Sequence, residues 1–77
     1  MSQKLTNLLA ELFEMKAEDI TDKLTMEDVD LWDSLKHMEL IVSIEQAFGI
    51  ELTFDEISNM QNVKKIKGIL LEKGVTD

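Results

Sequence analysis

Leu5, Leu8, Leu9, Leu12 and Phe13 recur at the i, i+3, i+4, i+7, i+8 spacing that gathers side chains on one side of a helix, with polar residues between them. Residues 3–15 therefore read as an amphipathic helix. From Lys16 to Asp33 the chain is mostly polar without a sustained period, a long connection for so short a protein and of a length that often carries function. Helical periodicity returns over residues 34–48, and Gly49 follows where a left-handed C-cap favours glycine. Thr53 and Glu56 have capping-box spacing and open a short third helix carrying Phe54, Ile57 and Met60. Asn62 can cap a last helix that turns Val63, Ile66, Ile69 and Leu70 inward and ends near Gly74. There is no proline, and the aliphatics follow helical rather than alternating order. The pattern predicts an all-α fold, a four-helix bundle in one domain (residues 1–77) with a long first loop and a short third helix.

The second helix is apolar on two sides. At ~100° per residue, Leu40, Ile41, Ile44 and Phe48 gather on one side, while Leu35, Met38 and Val42 line up nearly opposite, flanked by Glu39 and Glu45. One face suffices for a bundle core. The other must either lie under the third helix or serve as a docking face, with Leu and Met as anchors and carboxylates for steering.

Charge narrows the partners. Sixteen acids against eight basic residues, none of them arginine, give a net charge of −8. Residues 11–56 hold fourteen of the acids and three lysines, whereas residues 57–77 are net positive. Such a field repels nucleic-acid phosphates and anionic lipid and attracts basic protein surfaces. Cysteine is absent, which excludes disulfides and thiolate metal sites. The N-terminal stretch MSQKLTNLLAELFEM has acids among its leucines and reads as neither signal peptide nor membrane span. A cytoplasmic monomer without membrane insertion is expected.

Where the long loop meets the second helix stands Asp33-Ser34-Leu35. A serine at a helix start is ordinary capping chemistry, and Asp33 could supply the cap instead. The wider segment DSLKHMELIVSIEQAFGIEL, residues 33–52, resembles the acyl carrier and peptidyl carrier protein family. The likeness runs along the whole chain: helix, long loop, Asp-Ser-Leu, helix, FGIEL, short acidic helix, final helix. It implies a bundle of acyl-carrier type in which Ser34 receives 4′-phosphopantetheine from coenzyme A through a phosphodiester bond. A separate phosphopantetheinyl transferase makes that bond. The thiol of the arm then holds acyl or aminoacyl groups as thioesters, and the carrier presents them to other enzymes and catalyses nothing itself.

The resemblance also assigns residues. Asp33, Leu35, Met38, Glu39 and Val42 would face the transferase and the acyl-handling enzymes. Glu45, Asp55 and Glu56 would extend the acidic surface toward basic docking patches. Ile44, Leu52, Ile57, Met60 and Ile66 would form the apolar set between helices that shelters an acyl chain, at about 0.8 kcal/mol per buried methylene. Departures from the housekeeping fatty-acid carriers are equally specific. Leu31-Trp32 replaces the glycine-rich approach to the serine, and Lys36, His37, Gln46 and Ala47 stand where acids or small polar residues are common. They point to a specialised carrier with dedicated partners in a secondary-metabolite, lipid-modification or peptide pathway. Trp32 reads as a hydrophobic anchor for the loop or as a recognition aromatic beside the arm, and His37 as a packed or hydrogen-bonded residue on the core side of its helix.

Three other readings compete. Asp28, Asp30 and Glu39 fall at positions 1, 3 and 12 of an EF-hand register, but Trp32 and Asp33 occupy positions 5 and 6, where a ligand and a glycine are required. Ser34 and His37, at i and i+3, could meet as nucleophile and base, yet nothing marks an oxyanion hole. A non-enzymatic acidic adaptor would use the Leu35–Met38–Val42 stripe without any cofactor.

Overall fold

The computed structural model describes residues 3–75 and is all-α. Helix α1 spans Gln3–Phe13, α2 Ser34–Phe48, α3 Phe54–Asn59 and α4 Val63–Glu72. Three of the four starts carry the expected caps. Asp33 Oδ1 accepts the Lys36 N–H at 2.8 Å, and Asn62 Oδ1 accepts the Lys65 N–H at 2.8 Å. At α3 the Thr53 hydroxyl accepts the Glu56 N–H at 3.2 Å, while Glu56 Oε1 accepts the Thr53 N–H at 2.9 Å. Each satisfies a first-turn donor or a cap donor that the helix itself cannot. Gly49 closes α2 with φ 64°, in the left-handed region. Lys4 Nζ donates to the Ala47 carbonyl at 2.7 Å, placing a cation at the negative end of α2.

One helix is shorter than its periodicity implies. α1 ends at Phe13 rather than at residue 15, because Glu14 adopts φ 55°. The Met15 N–H then reaches back to the Ala10 carbonyl at 2.9 Å and the Glu14 N–H to the Glu11 carbonyl at 3.3 Å. That is a Schellman C-cap with glutamate where glycine is usual. The hydrophobic spacing continues past the point where the backbone turns away.

The core is built from Leu5, Leu9 and Phe13 of α1, Leu40, Ile41 and Ile44 of α2, Met60, and Val63, Ile66 and Leu70 of α4. Leu8 and Leu12 of the same α1 pattern pack at its margin, as do Phe48 and Ile69. The loop between α1 and α2 also enters the core, through Ile20, Val29 and Trp32. Two 3-10 turns, Ala17–Asp19 and Met26–Asp28, give it local structure. A bridge to the start of α4 ties it down: the Met26 N–H donates to the Gln61 carbonyl at 2.8 Å and the Val63 N–H to the Leu24 carbonyl at 3.0 Å. Among the described residues every buried side chain is apolar, and no helix is long and apolar enough to cross a membrane.

α3 departs from the simple picture. Phe54, its first residue, is 81% exposed and contributes nothing to the core, and Met60, fully buried, sits at the C-cap beyond the helix end. No residue within α3 is fully buried. A helix of this length is marginal on its own, so α3 depends on what it is fastened to.

Candidate functional site: the junction at Ser34

Ser34 is the first residue of α2 and is exposed. Since the Asp33 carboxylate performs the capping, the serine hydroxyl is released from that duty, and it has no hydrogen-bond partner among the described residues. Trp32 fixes the approach to the site. Its indole is buried, stacked on Phe13 with ring centroids 4.7 Å apart, so the large aromatic anchors the loop and leaves Ser34 beside solvent. The recognition-aromatic reading of Trp32 fails because the ring is inside the core.

His37 lies one turn along α2 and faces away from any partnership with Ser34. Trp32 Nε1 donates to His37 Nδ1 at 2.9 Å, and His37 Nε2 lies 2.9 Å from the Ile57 carbonyl oxygen. An indole N–H can only donate and a carbonyl can only accept, so the imidazole must be neutral with its proton on Nε2. Neither nitrogen is left to serve as a base for the serine. Nor does the loop assemble as an EF-hand: Asp28 Oδ2 accepts the Thr25 N–H at 3.1 Å in a capping box, and Glu39 pairs with Lys36 at 3.1 Å.

The second apolar stripe of α2 is uncovered. Leu35 is 75% exposed, Met38 51% and Val42 48%, and together with Glu39 and Ser43 they line a shallow groove. α3 does not pack over them. Leu31 and Phe54 are further exposed apolar side chains that the pattern had not marked as surface. Phe54 could have been suspected, since a six-residue helix buries one side only and the residue directly after the cap often faces out.

The acids assigned to this face (Glu39) and to its extension (Glu45, Asp55 and Glu56) divide into two kinds. Glu39 and Asp55 are exposed. Glu45, half-buried, also accepts the Leu52 N–H on its Oε2 at 2.9 Å and so holds the segment entering α3. Glu56 pairs with Lys73 of the C-terminal segment at 2.9 Å. The Lys73 ammonium, then the Thr53 N–H, hold its carboxyl below the usual carboxylate range. Asp22 is lowered likewise by Lys67, 2.7 Å away.

Of the apolar set assigned to an acyl chain, Ile44, Met60 and Ile66 are fully buried and Leu52 and Ile57 partly so, all in one cluster. They come from α2, the segment after it, α3, its C-cap and α4.

Comparison with known proteins gives a consistent result. The family model described as "Phosphopantetheine attachment site" matches residues 3–70. The acyl carrier protein of Coprothermobacter proteolyticus is 32% identical over 69 residues, which cover 88% of this chain and 83% of that protein. That of Buchnera aphidicola subsp. Baizongia pistaciae is 32% identical over 71 residues, covering 91% and 90%. The solution structure of a holo acyl carrier protein from Geobacter metallireducens superposes with a TM-score of 0.80 at 31% identity, over 91% of this chain and 80% of that one.

Proposed function

Since this chain belongs to the phosphopantetheine-attachment family of acyl carrier proteins, we propose that Ser34 is the attachment point of its arm and that it is a specialised carrier with dedicated partners. It is a carrier rather than an enzyme, and its prosthetic group is 4′-phosphopantetheine. When bound, that group supplies a terminal thiol on which acyl groups are held as thioesters. A phosphopantetheinyl transferase and acyl-processing enzymes are its partners.

The observation that carries the Ser34 assignment is an exposed hydroxyl without a partner among the described residues, at the first position of a helix already capped by its neighbour. The junction suits a phosphodiester: its charge would lie at the positive end of α2. Asp33 holds that end of the helix in shape, and Trp32 holds the loop behind it. Leu35, Met38 and Val42 would seat the partners, while Asp33, Glu39 and Asp55 would steer their basic surfaces. Glu45 and Glu56 act in this reading mainly by positioning α3. The apolar set around Ile44, Leu52, Ile57, Met60 and Ile66 would take a tethered chain, each buried methylene contributing about 0.8 kcal/mol. In this reading the carrier is one domain, works in the cytoplasm and is a monomer, the net charge of −8 favouring the last by keeping copies apart.

The test is intact-mass spectrometry after incubation with coenzyme A, magnesium and a broad-specificity transferase, beside Ser34→Ala. One added phosphopantetheine that disappears in the variant supports the assignment. No addition with several transferases would leave Ser34 as a helix residue and the Leu35 stripe as the face of a cofactor-free adaptor.

A further inference from the structure

α3 has no fully buried residue of its own, and its polar ties are few enough to trace. Glu56 fastens it to Lys73 on the C-terminal side, and Glu45 holds the segment before it. On the side of the attachment junction it is fastened by His37, whose Nε2–H donates to the Ile57 carbonyl at 2.9 Å. The same ring is held from behind by the buried Trp32 indole N–H on Nδ1, also at 2.9 Å, and the two rings lie nearly parallel at 6.1 Å. The imidazole is therefore clamped between the loop that delivers Ser34 and the helix that covers the apolar set. A ring gripped at both nitrogens has one tautomer and one orientation.

We infer that His37 is a positioning residue, a strut between the Trp32 indole and the Ile57 carbonyl that sets how far α3 stands from the first turn of α2, and thereby governs access of cargo on Ser34 to the interior. The strut itself depends only on the geometry above; the statement about cargo rests on the reading of Ser34 as the attachment point. Anything that parts α3 from α2 must break the bond to Ile57. Removing the ring strands the Trp32 N–H in the core without an acceptor, which penalises the closed arrangement further.

The test is NMR on the intact, unloaded chain. Imidazole nitrogen shifts should report an unprotonated Nδ1 and a protonated Nε2; the opposite tautomer would overturn the strut without any variant being made. In His37→Ala, amide exchange at Ile57–Met60 should quicken by at least about tenfold relative to that of α4, the effect of losing one hydrogen bond and orphaning another donor. Trp32→Phe should free the tautomer and raise the same exchange by less than His37→Ala does; an unchanged tautomer and unchanged exchange would overturn the part assigned to the indole. Exchange that rises equally in α1, α3 and α4 would reduce His37 to general packing and overturn the inference. With a medium saturated acyl chain attached, shifts at Ile57 and Met60 should be larger in His37→Ala than in the unmodified sequence. Equal shifts would overturn control of access. Failure of attachment would count against Ser34 alone and leave the exchange result standing.

Discussion

The two sides of α2 are made of the same kinds of residue and behave in opposite ways. Leu40, Ile41 and Ile44 are at most 2% exposed, whereas Leu35, Met38 and Val42 stand roughly half to three-quarters in water. The first set holds α1, α4 and the loop to the helix. The second lies outside that buried cluster and forms an exposed apolar face of the kind that partners cover. Hydrophobicity by itself thus says nothing about whether a side chain stabilises the fold or recruits a partner; neighbouring elements decide.

Substitutions to alanine should separate the two sides most sharply. Ile44→Ala removes a fully buried side chain and should cost about 2–5 kcal/mol in urea unfolding, enough to unfold a domain this small at modest temperature. Leu35→Ala should change stability by less than about 0.5 kcal/mol, yet lower the transferase kcat/KM about tenfold as a lost interface anchor. If Leu35→Ala destabilised the fold as Ile44→Ala does, the exposed stripe would be structural and the contrast would collapse. Next in size comes the junction between the two sides. Asp33→Ala leaves the Lys36 N–H without its acceptor and should cost about 1 kcal/mol by thermal unfolding, with fraying confined to the first turn of α2.

Much of this contrast was legible in the order of residues, because caps and helical phase are local. Asp33, Gly49, Thr53 with Glu56, and Asn62 all sit where the pattern puts them, and the two stripes of α2 follow from phase alone. What escaped notice depends on contacts distant in sequence or on a backbone angle. Glu14 carries no sign of a left-handed turn, since glycine or asparagine is the usual mark. Glu45 meets Leu52 seven residues on, across the turn after α2, where helical phase no longer applies. The grip on His37 needs the Ile57 carbonyl, 20 residues away, so the sequence places the ring near the core without naming its partner. The proposal for Ser34 rests on its setting and not on its chemistry, which is that of any exposed hydroxyl.

Glu14 offers a smaller effect of opposite sign. A non-glycine residue in the left-handed region is strained by about 1 kcal/mol, and Glu14→Gly relieves it while loosening the unfolded chain. The net expectation is a gain of a few tenths of a kcal/mol, read as a slightly higher denaturation midpoint, and no change in transferase kinetics. A loss of stability would mean that the glutamate side chain supports the cap in some further way.

The smallest effect concerns the polar ties outside the core, and pH exposes it. Lys73 and Lys67 hold Glu56 and Asp22 below the usual carboxylate range. A carboxyl depressed in the folded state binds its proton more readily when unfolded, so its contribution is present above about pH 4 and disappears as pH falls through the folded value. Replacing Lys73 by methionine should therefore flatten the fall of the unfolding midpoint between about pH 5 and pH 3 while changing the midpoint at pH 7 little, as surface ion pairs are weak. Salt should mimic the variant by screening the pair. If the variant instead lowered stability equally at every pH, the lysine would act through its aliphatic stem against α3, and the fastening of that helix would belong with the buried side of the comparison rather than with its charged rim.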